Sequence, residues 1–336
     1  MSIPGYGAVQ PMKSTSAVLY QDQSISCTTQ QVYDAGVKRF LIYRQSQGIS
    51  DVIPPSEVEL ENFVSACADQ GLGYSCINVY LCGLRHHWIK RTSIDILKGK
   101  DSLFLTLRGI KRMTGKPKQL RLPITTAVMF KLHSVLSCGV FGYKQDRLMW
   151  AAMTLAFMAG LRCGEFTVNS DSSNWLRFQD ISFHFDKSLC KEVLTLTLRE
   201  SKTDPFREGI KLCLYATGYT ICAVVAMKAY LSTYQVHSLE APLFTIDQKK
   251  PLTRFDFIAK LNVCLSKAGL NSSDYNGHSF RKGFATSASC ASVPDHILSK
   301  MGRWKSQVYK SYVTMPASVI AKAQVSIVDP SLCTKF

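Results

Sequence analysis

The chain of 336 residues lacks the short motifs that mark most nucleotide-dependent and metal-dependent enzymes. It contains no H-E-x-x-H, no G-x-x-x-x-G-K-[ST], no G-x-G-x-x-G after a predicted strand and no G-x-S-x-G. Its 24 acidic residues do not cluster as a two-metal phosphoryl-transfer site requires. We therefore expect neither a metal site nor a cofactor, and chemistry on a nucleic acid backbone would depend on cations and hydroxyl groups.

Two further absences concern the compartment of the protein. None of the 12 cysteines forms a C-x-x-C pair, and several stand among apolar neighbours, as reduced core residues of intracellular proteins do. No charged segment followed by an apolar one opens the chain, so no secretory signal is expected. The longest apolar run, WAAMTLAFMAGL over 150–161, is too short to span a bilayer. The sequence predicts a soluble protein of a reducing compartment that is not embedded in a membrane.

Positive charge is abundant and uneven. The chain has 40 Lys and Arg against 24 Asp and Glu, a net charge of +16, and the stretch from Arg85 to Arg121 alone holds eleven basic and two acidic residues. Such a stretch indicates nucleic acid as the partner, with an acidic membrane surface or a merely soluble basic face as the alternatives. The residues expected to contact DNA are Arg85, Lys90, Arg91, Arg108, Lys111, Arg112, Lys116, Lys118 and Arg121.

The pattern along the chain divides it into four segments. Residues 1–27 are rich in Ser, Thr and Gln with little periodicity, which predicts a mobile leader. Residues 28–114 read as four short helices, the last two of which carry the basic excess. A Gly, a Pro and several basic residues predict a linker over 115–123, and a larger domain follows over 124–336.

Helix starts in the smaller domain are predicted from capping residues. Thr28 or Thr29 is the candidate cap of the first helix. The second follows Ser56, because a Glu stands three residues later at position 59.

The larger domain is predicted to be mixed. A helix over about 146–160 is apolar on nearly every face and belongs in a core. Alternation predicts strands over 181–186, 192–201 and 210–214, the last two forming a hairpin with Lys202 at its tip. The pattern after Gly218 is helical throughout.

Several cations and aromatic residues are candidates for chemistry, although each has a structural alternative. Arg162 follows the buried helix and has Glu165 as a possible structural partner. Lys202, taken alone, is a surface lysine. His278 and Arg281 stand three residues apart after an Asn-Gly pair, near a predicted helix N-terminus where backbone N–H groups favour an anion.

The segment GRWKSQVYKSYV over 302–313 adds Trp304, Tyr309 and Tyr312 on a predicted helix. Aromatic residues at this spacing are more often core residues than catalytic ones.

The order of these features resembles that of the tyrosine recombinase (phage-integrase-type) family: an arginine, a hairpin lysine, His-x-x-Arg, and Gly-x-Trp with a tyrosine eight residues later. The phrases SKTDPFREG, HSFRKGFAT and GRWKSQVYKSYV look closest to its crypton-like, eukaryotic mobile-element branch. The resemblance covers about residues 30–320. It implies a mainly helical fold with a small antiparallel sheet, in which a four-helix (SAM-like) core-binding domain and a mixed α/β catalytic domain clamp duplex DNA.

The resemblance also implies a role for each candidate. Arg162 and Arg281 would bind the non-bridging oxygens of a phosphodiester, and His278 would donate a further hydrogen bond and assist proton movement. Lys202 would protonate the leaving 5′-oxygen, and the indole N–H of Trp304 would donate to the phosphate. No cofactor is implied.

A tyrosine would attack the phosphate and form a 3′-phosphotyrosyl intermediate. The family usually places it nine residues after the His/Trp position, which here is Val313; Tyr312 is one residue short and is preferred to Tyr309. The resemblance further implies a recombinase or integrase that acts as a homodimer on each site and a homotetramer in the synapse, in a nucleus. A topoisomerase IB-like nick-and-reseal enzyme and a domesticated, non-catalytic DNA-binding protein are the alternatives.

Overall fold

A computed structural model gives the structure of the protein. It describes residues 13–50, 53–115, 121–168, 175–199, 209–234, 238–247, 250–304, 306–314, 320–321 and 324–325. Contacts within the chain separate two units, Met1–Lys118 and Gln119–Phe336. The boundary between them falls inside the stretch 115–123, where the composition predicts a linker.

The N-terminal unit is helical. Its helices are α1 (Thr15–Asp22), α2 (Cys27–Ser46), α3 (Glu57–Asp69), α4 (Tyr74–Thr92) and α5 (Asp101–Thr114). Helices α2 to α5 are the four predicted ones; α3 begins after Ser56, whose hydroxyl accepts a hydrogen bond from the Glu59 amide, whereas α2 is capped by Ser26 and not by Thr28 or Thr29. Helix α1 lies in the predicted leader, and it buries no residue, so it lacks the apolar stripe from which a helix is predicted.

The core of this unit forms around Phe40 of α2, whose ring lies 4.9 Å from that of Phe63 and 5.9 Å from that of Trp88. The fully buried guanidinium of Arg44 stacks on Phe40 and Trp88 and forms a two-pronged ion pair with Glu59. The pair joins the C-terminal end of α2 to the first turn of α3.

The C-terminal unit combines helices with a small sheet. Its helices are α6 (Thr126–Ser137), α7 (Tyr143–Met158), α8 (Cys163–Phe166), α9 (Ala223–Leu231), α10 (Arg254–Lys267), α11 (Ser279–Cys290) and α12 (Asp295–Met301). Its strands are β1 (Ile181–Asp186), β2 (Lys191–Leu198), β3 (Ile210–Tyr215), β4 (Thr245–Ile246) and β5 (Lys250–Pro251), and 3-10 helices cover Phe178–Asp180, Ser272–Asp274 and Gln307–Ser311.

Strands β1, β2 and β3 form an antiparallel sheet in that order, with Val193 opposite Tyr215 and Leu198 opposite Ile210 in the predicted hairpin. Lys202 lies between the two hairpin strands, outside the described residues. Strands β4 and β5 pair over two residues each, so the prediction that the chain after Gly218 is helical throughout was wrong there. The mainly helical fold with a small antiparallel sheet is confirmed.

Helix α7 is the centre of this unit, and it positions the residues of the next section. Its buried residues run almost without interruption from Leu148 to Phe157, because α6, α9, α10 and α11 all pack against it. The helix ends at Met158, and Gly160 adopts a left-handed conformation (φ +54°) that reverses the chain toward α8. A side chain at Gly160 would lie 2.9 Å from the ring of Phe284 in α11. Close approach of α11 therefore requires glycine at this turn.

Candidate active site

The turn at Gly160 places Arg162 at the candidate site. It is the N-cap of α8, and its backbone N–H donates to Glu165 Oε2 (2.9 Å) while its Nη1 donates to Oε1 (3.0 Å). Its side chain is 19% exposed and that of Glu165 only 7%. The alternative reading of Arg162 as a partner of Glu165 is thus correct in its geometry, although the pair is not isolated.

Arg281 stands in the first turn of α11 and is completely buried. Its Nη1 donates to the carbonyl oxygen of Gly160, its Nη2 donates to that of Gly302 (2.7 Å), and its Nε has no partner among the described residues. Burial, together with the nearby charges of Arg162 and Arg303, lowers the pKa of Arg281 to about 10. A cation held under such conditions is stabilised when an anion binds next to it.

Arg303 is the site residue that the sequence pattern did not predict. Its Nη2 donates to Glu165 Oε2 (2.9 Å) and its Nη1 to Oε1 (3.3 Å), and Nη2 also lies 3.4 Å from the carbonyl oxygen of Gly160. One signal for it exists in the sequence, because counting back nine residues from Tyr312 reaches Arg303 and not Trp304.

Glu165 therefore serves two arginines. Burial by itself would raise the pKa of its carboxyl group. The charges and hydrogen bonds of Arg303 and Arg162 outweigh burial and hold the pKa below its usual value. The carboxylate is therefore charged at neutral pH. Three guanidiniums lie around the Gly160 turn, and Glu165 binds two of them, those of Arg162 and Arg303.

Trp304 covers the buried arginine. Its ring lies 4.5 Å from the Arg281 guanidinium carbon and stacks on the ring of Phe284 at 6.1 Å. Glycine at position 302 makes this possible, since a Cβ there would lie 1.7 Å from a carbon of the Trp304 ring. The indole Nε1 is buried and has no hydrogen-bond partner among the described residues.

The two tyrosines differ in their surroundings. Tyr309 is buried, and a hydrogen bond to the Asp295 carboxylate is the first cause that raises the pKa of its phenol. Tyr312 is half-buried and interacts electrostatically with Arg281. Both rings lie beside that of Trp304, at 5.7 Å for Tyr309 and 6.0 Å for Tyr312. The predicted helix is a 3-10 helix over Gln307–Ser311, with Tyr312 as its C-cap.

His278 is three residues before Arg281 in the chain, but its side chain is not buried with that of Arg281. It is the N-cap of α11, as the Asn-Gly pair predicts, and its backbone N–H donates to Asn276 Oδ1 (2.8 Å). Its side chain is exposed, whereas that of Arg281 three residues later is buried. The two residues are three positions apart at the start of α11, as the sequence shows, but they differ in burial.

The residues predicted to contact DNA divide into several groups. Arg85 forms a two-pronged ion pair with Asp95, and Lys90 pairs with Asp22. Exposed pairs of this kind are weak and exchange readily with other charges. Arg121 lies in the C-terminal unit, where it donates to the carbonyl oxygen of Ser273. Arg91, Arg108, Lys111 and Arg112 are also exposed, as Arg85 is, and Lys116 and Lys118 lie outside the described residues.

The described parts of the chain show neither a metal site nor a membrane-spanning helix. The described residues contain no group of three or more His, Cys, Asp or Glu side chains placed to hold a metal ion. No helix among them is long and apolar enough to cross a membrane.

Comparison with known proteins gives these positions a context. No protein-family model matches the chain. An integrase/recombinase XerD homolog of Selenomonas ruminantium is 22% identical over 299 residues, which cover 85% of this chain and 81% of that protein.

Solved structures with a similar fold include the XerH site-specific recombinase bound to palindromic difH substrate (TM-score 0.58, 14% identity, 88% of this chain and 78% of that one). The integrase of transposon Tn1549 in complex with transposon right end DNA has a TM-score of 0.53 at 14% identity, covering 89% of this chain and 99% of that one. A lambda integrase dimer bound to a core site has a TM-score of 0.54 at 14% identity, covering 88% and 75%.

The chain thus has the fold of the tyrosine recombinases. The solved structures show a shared fold, and the likeness in sequence is to an integrase/recombinase XerD homolog. They give no support to the crypton-like eukaryotic branch or to a nuclear location, because the matched relative is bacterial.

Proposed function

We propose that the protein is a site-specific DNA recombinase or integrase that breaks and rejoins duplex DNA through a phosphotyrosyl intermediate. The observation that carries the proposal is the meeting of Arg162, Arg281 and Arg303 at the Gly160 turn, with Glu165 as the carboxylate that pairs with two of them. Three cations and one anion leave two positive charges, partly buried, which a phosphodiester would reduce to one. Without an anion, such a cluster of like charges costs free energy.

Arg162 and Arg281, the two arginines that the sequence pattern names, would bind the phosphate in different ways. Arg162 is the more exposed and would meet the phosphate first. Arg281 is fixed by the carbonyl oxygens of Gly160 and Gly302, so it needs no rearrangement to present its charge. Donors fixed in place where negative charge develops are the main means by which enzymes stabilise such transition states.

Tyr312 is the proposed nucleophile, because its side chain is half-buried and can be reached by DNA, whereas that of Tyr309 is buried. Its phenolic oxygen would bond to phosphorus as the bond to the 5′-oxygen breaks. Lys202 would give a proton to that 5′-oxygen, and His278 would assist proton movement by accepting the proton that the Tyr312 phenol loses. The bond energy is kept in the phosphotyrosyl ester, and attack by a 5′-hydroxyl reverses the step.

The remaining parts of the proposal concern DNA and assembly. The N-terminal unit would serve as the core-binding domain, with exposed cations such as Arg108 and Arg112 of α5 contacting phosphates. Strand exchange would need two copies of the chain on each site and four in a synapse. The likeness to the fold of a transposon integrase is consistent with a mobile-element origin.

The test begins with selection of a duplex that the full chain binds from a randomised pool. The selected duplex is then nicked near its centre, so that a cleaved strand loses its neighbouring fragment and cannot be rejoined. We expect a protein–DNA adduct that survives denaturing electrophoresis. Binding without an adduct would contradict the proposal in favour of a non-catalytic DNA-binding protein. An adduct with relaxation of supercoiled plasmid, but no exchange between two duplexes, would favour the topoisomerase-like alternative.

A further inference from the structure

We propose that Arg303 is a positioning residue of the phosphate-binding site. It holds the Glu165 carboxylate, so that this carboxylate orients the Arg162 guanidinium without neutralising its charge. The inference rests on the proposed function, and it assigns Arg303 a part in that reaction without contact with the reacting atoms.

Arg303 changes the net charge around Glu165. Arg162 and Glu165 alone would form a neutral pair, which has no net attraction for a phosphodiester. Arg303 binds both oxygens of the same carboxylate, at 2.9 and 3.3 Å, so the three side chains together keep one positive charge. Within the triad Arg303 is the inner member, 7% exposed, and Arg162 the outer one, 19% exposed. The surplus charge is therefore available on the side that an anion can reach.

Arg303 also fixes the orientation of the Glu165 carboxylate. The flat fork of an arginine matches a carboxylate and fixes its plane. With Glu165 fixed by Arg303, its oxygens receive the backbone N–H of Arg162 (2.9 Å) and its Nη1 (3.0 Å). Among the described residues, Nη1 is the Arg162 guanidinium nitrogen that is hydrogen-bonded, which leaves Nε and Nη2 for an anion.

The backbone of Arg303 follows helix α12 in the left-handed region (φ 57°). Glycine is the usual residue there, and other residues are strained. The Nε of Arg303 is also buried with no partner among the described residues. A long cation at a strained and desolvated position is explained by its contact with Glu165, since that contact cannot be made by glycine.

The experiment compares the full chain with Arg303→Met, Arg303→Lys and the double variant Glu165→Gln/Arg303→Met. The substrate is the selected nicked duplex, made once with an ordinary scissile phosphate and once with a neutral methylphosphonate at that position. Adduct formation at saturating DNA, DNA affinity and melting temperature are measured for each protein. Arg177→Met, which removes an arginine from the more exposed ion pair with Glu240 in the same unit, is the matched control.

In Arg303→Met the remaining Arg162–Glu165 pair is neutral, so we expect adduct formation on the phosphodiester to fall about 100-fold with unchanged DNA affinity. The loss should be much smaller on the methylphosphonate, which carries no charge to neutralise. The double variant frees Arg162 from its carboxylate and should recover part of the rate. Arg303→Lys should recover little, because an ammonium cannot bind both oxygens in a plane.

The ratio of the two rates within one variant does not depend on how much of that protein is folded. An equal loss on both substrates, with no recovery in the double variant, would overturn the inference and leave Arg303 with a role in stability alone. A normal rate in Arg303→Met would also overturn it, while the proposed function would stand. If the wild-type chain binds DNA and forms no adduct, the proposed function fails and this inference fails with it.

Discussion

Replacing Glu165 by Gln removes the one negative charge bound between two arginines while it keeps the size of the side chain. The carboxylate is 7% exposed and accepts four hydrogen bonds, two from Arg162 and two from Arg303, with lengths of 2.9–3.3 Å. An amide can accept with one group only, and its NH₂ would face guanidinium N–H groups. Loss of one partner from a buried ion-pair network costs about 3–5 kcal/mol. For a unit of this size that corresponds to a fall in melting temperature of roughly 10 °C.

Calorimetry of the full chain measures this effect, and Glu240→Gln is the matched control. Glu240 belongs to the same unit and pairs with Arg177, but it is 60% exposed, so its loss should cost less than about 1 kcal/mol. The difference between wild type and Glu165→Gln should also depend on pH. Because the pKa of Glu165 is lowered in the folded state, its contribution is complete above the unfolded value near 4.5 and is lost as the pH falls through the folded value. Equal melting temperatures for the two variants at neutral pH would refute the reasoning.

Two further predictions concern separate units. Gly302→Ala would put a methyl group 1.7 Å from the Trp304 ring and push that ring off Arg281, so adduct formation should fall by about 100-fold with DNA affinity kept; an unchanged rate would show that the Trp304 position does not matter. Arg44→Met leaves the Glu59 carboxylate without its buried partner and should destabilise the N-terminal unit by about 3–5 kcal/mol in urea unfolding, whereas Glu59→Gln/Arg44→Met should recover part of the loss. No recovery in the double variant would contradict the charge argument.

The parts of the fold that were predictable from sequence depend on local chemistry. Ser56 followed by Glu59 sets the start of α3, and alternation sets the β2–β3 hairpin, because capping and strand pairing involve neighbouring residues. The all-round apolar character of the segment near 150–161 marks it as the central helix α7 for a similar reason, since each face packs on another element.

Other features could not be predicted because they depend on contacts between distant segments. Helix α1 has no apolar face, so no periodic pattern marks it. The pairing of Arg85 with Asp95 and of Lys90 with Asp22 reduces the free charge of the basic stretch, and only the folded unit selects those partners.

The candidate site also has features that the sequence predicts and features that depend on contacts between distant segments. The sequence pattern predicts that Arg162, Arg281 and Tyr312 belong to one site. It does not predict that Arg281 is completely buried beneath Trp304. The sequence also offers Glu165 as an alternative partner that would make Arg162 structural. The structure shows why the two interpretations are compatible: Arg303, 138 residues after Glu165, binds the same carboxylate.

The most direct test of the account is the identity of the residue that becomes attached to DNA. The adduct formed on the selected nicked duplex is digested with protease and nuclease, and the modified peptide is sequenced by mass spectrometry. We predict that the nucleotide is linked through its 3′-phosphate to Tyr312, and that Tyr312→Phe forms no adduct while Tyr309→Phe keeps it. Attachment at Tyr309 would contradict the assignment of the nucleophile, and DNA bound tightly with no attached peptide would contradict the proposed function.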